Sequence, residues 1–571
     1  MRFFDKYSLL WAEFFLILLG LVAVRFVPPR AFAVFGSLRT LAMRIARRPR
    51  NAIALSFAMP IVLRLLSWRF QRVPTPTIQD EFSYLLLADT FAHGRLTNPP
   101  HPLWIHFDTI HVLQHPTYAS IYPVMQGLFL AAGQVLLHNP WLGVWLSVAL
   151  MCAAFCWALQ AWLPPFWALA GAALAAVRLG MFSYWINSDW GGVAAALGGA
   201  LVLGALPRVL RRQRMRDAVI LAAGIAILAN SRPFEGFVFC VPVAVVLIAW
   251  ILGAEKFCRR CALRFGRRPS FGKLAARVVT PLASALVLAA ILMGYYFWRV
   301  TGDPLTMPYV AEARQYEVTP LFLWQKVRPA PSYSDDRLRY FFADWSPKPV
   351  PEGKRAFYGW AFYLGPILTI PLLMLPLVAR DRRTRFPLLV CVVMIPPLAL
   401  EWWWNPHYAA PATLALYVLI LQGLRHLRCA NRHSRWHRLA ALVPAVVLAM
   451  IAVRIALPYL QRPVKPEVPS TWASMGPPFN LRYQVERQLQ QIGGQHLVLV
   501  RYQNHNRVPA IHNEWVYNAA DIDHAPIVWA RELDAAHNRE LLAYFKDRQV
   551  WLVDPDATPP ALRPWVPASS R

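Results

Sequence analysis

Stretches of about twenty apolar residues recur along the chain and are separated by short polar segments. Each stretch is long enough to cross a hydrocarbon core of roughly 30 Å as a single helix. The pattern predicts an all-α polytopic membrane bundle with about eleven or twelve transmembrane helices. The predicted spans are residues 11–26, 53–68, 141–159, 166–181, 190–206, 218–230, 237–252, 279–298, 358–378, 386–402, 409–424 and 439–457.

Basic residues are concentrated in five of the polar segments, which sets the orientation of the bundle. The positive-inside rule places these segments in the cytoplasm. The number of crossings between them is consistent only if residues 121–137, interrupted by Pro123 and two glycines, lie at the interface instead of spanning. The helix at 11–26 fits either a span with an outside N-terminus or an uncleaved signal anchor. The basic segments are residues 39–50, 208–216, 256–277, 380–385 and 425–438.

The composition agrees with a membrane protein and argues against a nucleic-acid-binding protein. Of the 571 residues, 57% are hydrophobic and 16% are charged, whereas about 25% are charged in an average soluble protein. The net charge of +29 belongs to the basic segments between spans. Since no stacking or groove-reading motif accompanies it, we predict membrane lipids and no nucleic acid as partners. The predicted location is a bacterial inner membrane.

The polar parts that remain face the other side, the periplasm. They divide the chain into a membrane domain, 1–458, with outer loops at 69–120 and 300–357, and a periplasmic domain, 459–571. In this tail, apolar runs at 496–500 and 550–553 predict buried parallel strands, with helices at 479–492 and 538–546. The tail is therefore predicted to be a small α/β domain. Its Asp521-Ile-Asp523 sequence has no phosphate-binding loop beside it and is interpreted as a turn.

Two adjacent carboxylates, Asp80 and Glu81, begin the first outer loop directly after a predicted span. Acidic residues near the bilayer are costly and usually functional. One could act as general base toward an acceptor hydroxyl while the other orients it or binds a sugar. Alternatively, both occupy the first turn of a helix and complement its dipole. The chemistry of the residues leaves both interpretations open.

Histidines are unusually dense in the same loop. Their spacings match no compact zinc motif, so we predict that they contact headgroups or sugar hydroxyls, with His101 and His115 as candidates for substrate binding. Cys258 and Cys261 have metal-like spacing without a second ligand pair, which favours reduced thiols. No metal site and no cofactor are predicted. The loop histidines are His93, His101, His106, His111 and His115.

Three outer turns supply further candidates for substrate binding. Asp189 begins a span, where it either binds a sugar hydroxyl or, as the pattern favours, caps the helix. Arg232 and Glu235 lie in a tight turn, in which the arginine either binds a phosphate or pairs with the glutamate. His407 and Tyr408 follow three tryptophans at the level of headgroups or sugars.

The arrangement resembles the GT-C class of integral-membrane glycosyltransferases, and most of all its branch of protein O-mannosyltransferases and lipid A aminoarabinose transferases. The specific resemblance covers about the first 250 residues, beyond which only the architecture matches. The residues that carry it are Asp80, Glu81, Tyr84 and Ala88 in the first outer loop and Tyr122-Pro123 before the next span.

The resemblance implies transfer of a sugar from a polyprenyl-phosphate carrier to an acceptor outside the cytoplasm, which is a lipid, a glycan or a protein. By resemblance Asp80 is the catalytic base, Glu81 supports it, Tyr84 belongs to the site, and Arg232 holds the carrier phosphate. A carboxylate and an arginine meet the needs of this chemistry without a metal, and we expect inversion at the anomeric carbon. A transporter or flippase, or a scaffold in which the acidic pair only caps a helix, are the alternatives.

Overall fold

The computed structural model describes the chain in eleven segments. All statements below concern these segments, so the Cys258–Cys261 pair and the predicted domain boundary at 458 lie outside the described residues. The segments are 8–26, 33–69, 71, 73–254, 270–345, 348–429, 435–457, 471–473, 480–502, 514–557 and 559–566.

Helices dominate the structure up to residue 457. Seven helices among the described residues are long and apolar enough to cross a membrane, and four shorter apolar helices accompany them. The prediction of an all-α membrane bundle is confirmed. Its helices are α1 (Ser8–Phe26), α2 (Ala33–Ala46), α3 (Pro49–Leu66), α4 (Gln79–Ala92), α5 (Val124–Leu137), α6 (Pro140–Trp162), α7 (Pro165–Arg178), α8 (Val193–Arg212), α9 (Met215–Ala229), α10 (Pro233–Ile251), α11 (Phe271–Thr301), α12 (Pro308–Gln315), α13 (Asp336–Arg339), α14 (Glu352–Tyr363), α15 (Gly365–Leu372), α16 (Leu375–Arg380), α17 (Arg385–Leu400), α18 (Pro406–Cys429) and α19 (Arg435–Ala456).

One predicted span is wrong. Residues 358–378 do not form a continuous helix but are divided among α14, α15 and α16. Gly365 adopts a φ of 58°, in the left-handed region, and Pro366 follows it. Because proline lacks an N–H and disfavours helical backbone before it, the chain turns at this point.

Helix α5 fills the segment that the sequence assigns to the interface. It has 14 residues, which corresponds to about 21 Å at 1.5 Å per residue. This is shorter than the roughly 30 Å of a hydrocarbon core. Leu128, Val135 and Leu136 on its outer side are exposed.

Helix α1 runs antiparallel to α19. Gly20, near its end, packs so tightly under Leu442 of early α19 that a Cβ would come within 2.2 Å of that side chain. Near its start, the Glu13 carboxylate accepts a hydrogen bond of 3.2 Å from Trp472 Nε1, beyond the end of α19. The start of α1 therefore lies on the same side of the bundle as Trp472.

The C-terminal domain is a four-stranded sheet with two helices, which confirms the predicted α/β unit. Its strands are β3 (His496–Val500), β4 (Ile527–Arg531), β5 (Gln549–Val553) and β6 (Leu562–Pro564), and its helices are α20 (Leu481–Ile492) and α21 (Ala535–Tyr544). The sheet order is β4-β3-β5-β6, with β6 as an antiparallel edge. Strand β3 is completely buried and pairs in parallel with β4 and β5, as the apolar run predicts.

The first outer loop and the C-terminal domain share one hydrophobic core. Phe82 of α4 stacks on Tyr517 at 4.6 Å, and Leu86 packs in the same cluster as Leu499 of β3. A short hairpin in the loop, β1 (Val112–Leu113) and β2 (Ala119–Ser120), contributes Val112 to this core. The helix that carries the acidic pair is therefore held between the membrane bundle and the C-terminal domain.

Candidate active site

A cavity of about 1150 Å³ opens where the outer turns of the bundle meet the C-terminal domain. The start of α4 forms one wall, and the turns before α10 and α18 form another. Residues around α12, the 341–350 loop and the first residues of the C-terminal domain, Asn480 and Leu481, complete it. Segments far apart in sequence thus converge on one concave space.

Glu81 closes the N-terminus of α4. Its Oε2 accepts hydrogen bonds from the backbone N–H groups of Thr77 at 2.8 Å and Ile78 at 3.3 Å. Its Oε1 accepts the backbone N–H of Asp189 at 3.1 Å, which ties α4 to the turn before α8. Burial raises the pKa of Glu81 to about 7, and these hydrogen bonds oppose that rise. Glu81 thus performs the capping role that the sequence left open for both carboxylates.

Asp80 occupies the same helical turn but faces the cavity. Its Oδ1 accepts a hydrogen bond of 2.5 Å from the Tyr122 hydroxyl. The Tyr122 ring stacks on that of Tyr84 at 4.3 Å, and both rings line the cavity. The two adjacent carboxylates therefore divide the roles: Glu81 stabilises the helix and Asp80 is presented to a ligand.

Arg232 stands at the N-cap of α10 on the opposite wall. It pairs with Glu235 across 3.5 Å and lies 4.3 Å above the Tyr408 ring. Burial alone would lower the pKa of Arg232, but Glu235 and the neighbouring acidic groups raise it, so the guanidinium is charged. The ion pair predicted as the alternative role is present, and the arginine nevertheless lines the cavity with 21% of its side chain exposed.

His407 and Tyr408 begin α18 beside this arginine and line the cavity, as does Tyr184. The Tyr184 hydroxyl lies 2.9 Å from His407 Nδ1. Glu401 precedes the turn, where Arg355 donates to the backbone carbonyls of Glu401 and Trp402 and fixes the chain.

Asp189 does not cap α8, because Gly192 is the N-cap of that helix. Its backbone carbonyl accepts from Gln126 at 3.0 Å, and its N–H binds Glu81. The residue is 4% exposed and is not among those that line the cavity. Burial and the Glu81 charge raise the pKa of Asp189. The predicted capping role of Asp189 is therefore wrong, and the residue contacts Gln126 and Glu81 through its backbone groups.

His101 and His115 lie outside the cavity, contrary to the sequence prediction. His101 Nε2 is 3.1 Å from Asp523 Oδ1, and the His101 ring stacks on Phe545, both in the C-terminal domain. His115 is exposed and packs edge-on against Trp104 at 4.8 Å. The reason is that the C-terminal domain folds over the loop, so that His101 fills an interface. Asp523 lies in the predicted turn.

His111 is a member of the site that sequence reasoning did not single out. It lines the cavity and has a φ of 62°, which is rare for a residue with a side chain. The Glu312 carboxylate accepts its backbone N–H at 2.9 Å and lies 3.0 Å from Nδ1. Burial would lower the pKa of His111, but Glu312, with lesser contributions from Asp80 and Glu317, raises it to about 9. The ring is thus an imidazolium at neutral pH.

Glu317 and an aromatic surface complete the lining. Burial, with the Glu312 charge next in importance, raises the pKa of Glu317 to about 8. Phe341, Trp345 and Trp403 form a continuous series of rings at spacings of 5.6 and 5.5 Å. Glu312 and Glu317 lie some 200 positions after His111, and no spacing rule connects them. In the part of the chain that the structure describes, no three His, Cys, Asp or Glu side chains converge as a metal site.

Comparisons with known proteins return only structural neighbours. No family model matches the chain, and no curated protein does so significantly. The structure of ArnT from Cupriavidus metallidurans in the apo state matches over 88% of this chain and 92% of its own, with 15% identity and a TM-score of 0.46. The oligosaccharyltransferase of Archaeoglobus fulgidus, tethered with an acceptor peptide, matches over 88% and 68%, with 11% identity and a TM-score of 0.38.

A further structure of the Archaeoglobus fulgidus enzyme AglB contains an inhibitory peptide and a dolichol-phosphate. It matches over 89% of this chain and 69% of its own, with 11% identity and a TM-score of 0.40. These structural neighbours are GT-C glycosyltransferases. This is the class that the sequence around Asp80 and Glu81 resembles. At these identities and TM-scores the likeness concerns the fold alone.

Proposed function

We propose that the chain is a glycosyltransferase that moves a sugar from a polyprenyl-phosphate carrier to an acceptor outside the cytoplasm. One observation carries the proposal: Asp80 and Arg232 line the same cavity, and Asp80 is not used to cap its helix. A scaffold would use both carboxylates as helix caps. The division of roles between Asp80 and Glu81 therefore favours an enzyme.

Asp80 is the proposed general base. It would take the proton of the acceptor hydroxyl as the oxygen attacks the anomeric carbon, and the Tyr122 hydroxyl would hold the carboxylate in place. A single displacement of this kind inverts the anomeric configuration. The imidazolium of His111, fixed by Glu312, adds a positive charge to the same wall.

Arg232 is the proposed ligand of the carrier phosphate. Its fork of donors matches phosphate oxygens, and negative charge grows on them as the sugar leaves. The ion pair with Glu235 keeps the guanidinium in position, while the 3.5 Å separation leaves its donors available. The open Tyr and Trp faces around it suit the apolar carrier and the sugar rings.

A divalent metal forms no part of the proposed chemistry, so sugar transfer should continue in the presence of EDTA. We propose that the active face and the C-terminal domain are periplasmic and that the protein is a multi-pass protein of the bacterial inner membrane. The acceptor is a lipid, a glycan or a protein.

The proposal predicts that Asp80→Asn abolishes sugar transfer. Membranes containing equal amounts of each variant would be given labelled polyprenyl-phosphate sugars, and label in acceptors would be measured. Loss of a general base reduces the rate by about a hundredfold or more. The matched control is Asp336→Asn, an exposed carboxylate in the first turn of α13 outside the cavity, which should transfer at the wild-type rate.

Two results would contradict the proposal. If Asp80→Asn transfers as fast as the wild type, Asp80 is not the base. If the wild type transfers no sugar from any donor while the protein is folded in the membrane, the transporter and scaffold alternatives take precedence.

A further inference from the structure

His407 is fully buried, lines the cavity and keeps one ring nitrogen without a partner. Its Nδ1 lies 2.9 Å from the Tyr184 hydroxyl, and that hydroxyl also accepts the backbone N–H of His407 at 3.1 Å. Nε2 makes no hydrogen bond to any residue that the structure describes. Buried polar atoms are almost always paired, so an unpaired one in a cavity wall indicates a ligand.

The Tyr184 hydroxyl determines which nitrogen of His407 carries the proton. The hydroxyl proton has no acceptor other than Nδ1 within the described segments. If Nδ1 accepts this proton in a hydrogen bond, the neutral ring must carry its own proton on Nε2. The unpaired atom is then an N–H donor of fixed direction.

Arg232 is the neighbour that indicates what this donor binds. The Tyr408 ring, next in sequence to His407, lies 4.3 Å below the guanidinium. Arg232 and His407 line the same cavity, and a cationic fork together with a neutral N–H matches a group that only accepts hydrogen bonds, such as a phosphate.

We infer that His407 donates from Nε2 to an oxygen of the carrier phosphate bound by Arg232, and that Tyr184 is the positioning residue that fixes this tautomer. The inference rests on the proposed function, since it assigns a second ligand to the phosphate at the same site. The affinity for the phosphate should therefore depend on an N–H group at the position of His407 Nε2 and not on the charge of the imidazole ring.

The test measures binding without transfer. Farnesyl monophosphate, a short polyprenyl phosphate, is titrated into the full-length protein in detergent, with farnesol as the ligand that lacks phosphate. His407→Gln places an amide N–H near the position of Nε2, whereas His407→Asn reaches only to Nδ1. We expect His407→Gln to bind nearly as tightly as the wild type and His407→Asn to bind about tenfold or more weakly. Farnesol should bind all forms alike.

Tyr184→Phe tests the positioning role. It should weaken binding several-fold in the wild type but not in the His407→Gln background, because an amide has no tautomer to fix. A merely structural tyrosine would weaken both alike. The thermal unfolding midpoint of each variant is measured. The His407→Asn and His407→Gln variants should have similar midpoints, because both carry a side-chain amide.

Each outcome bears on a different claim. Equal affinity of His407→Asn and wild type, or equal weakness of the Gln and Asn variants, would overturn the inference and leave the proposed transfer intact. Failure of the wild type to bind farnesyl monophosphate more tightly than farnesol would overturn the carrier site itself. Asp336→Asn, at the exposed carboxylate outside the cavity, should bind like the wild type.

Discussion

The charge of His111 can be tested by removing the carboxylate that maintains it. Glu312→Gln keeps an oxygen that can accept the hydrogen bonds of His111 but removes the negative charge 3.0 Å from Nδ1. In the variant, the Glu312 charge no longer offsets the effect of burial on the pKa of His111. This pKa should therefore fall below its ordinary value. The cavity wall would then lose one positive charge at neutral pH.

The size of the effect follows from the shift in pKa. Against an ordinary value of 6.5, the pKa of His111 in the folded protein is about 9. Because the folded value is the higher one, the stabilisation is complete below pH 6.5 and is lost as pH rises through 9. The difference corresponds to about 3 kcal/mol. With 13% of its side chain exposed, His111 is buried enough for solvent to screen little of this.

The assay is thermal unfolding in detergent over the range from pH 6 to pH 10. The wild type should be more stable than Glu312→Gln by up to about 3 kcal/mol near pH 6, and the difference should shrink toward pH 10. Glu317→Gln is the matched control. Since the pKa of Glu317 is raised from 4.5 to about 8, this carboxyl destabilises the fold increasingly between these two pH values, so the variant should gain on the wild type up to about pH 8 and no further.

A difference between wild type and Glu312→Gln that does not change with pH would refute the reasoning. It would mean that His111 is neutral and that Glu312 acts only as a hydrogen-bond acceptor. A difference that grows toward high pH would have the wrong sign and would contradict the assignment of the positive charge to His111.

Two further predictions concern the C-terminal domain. Phe82→Ala removes a 7% exposed ring that stacks on Tyr517. The change should destabilise the shared core by about 3–5 kcal/mol, which would be observed as faster proteolysis of the C-terminal domain in the intact chain. Unchanged proteolysis would contradict the shared core. His101→Ala should transfer sugar within about twofold of the wild type, because His101 lies outside the cavity and its partner Asp523 belongs to the C-terminal domain; a large loss would return His101 to the substrate site.

Much of the fold follows from patterns that act locally. Apolar length predicts the membrane helices, and the apolar run of β3 predicts a buried strand, because both depend on the residues of one segment. The break at Gly365 is not predicted, since apolar length alone is taken as a span although Gly365-Pro366 lies within 358–378. Strand β4 is not predicted, although its apolar run, 527–530, is as long as the run at 550–553 that predicts β5.

The candidate site was predictable only where a motif lies within one segment. Asp80 was found because two adjacent carboxylates near a membrane are costly. The roles of Asp80 and Glu81 differ because the backbone N–H groups of Thr77 and Ile78 donate hydrogen bonds to Glu81. The partnership of His111 with Glu312 spans 201 positions and follows from tertiary packing, and so does the burial of His101 under the C-terminal domain.

The contact between α4 and the C-terminal domain also sets an order of events during synthesis. Asp89 of α4 accepts the backbone N–H of Ala520, 431 positions later in the chain. At roughly 5–20 residues per second, the ribosome needs about 20 to 90 seconds to make the intervening chain. Throughout that interval the Phe82 ring of this helix lacks its stacking partner Tyr517. A nascent chain that ends before Asn480 also lacks part of the cavity wall.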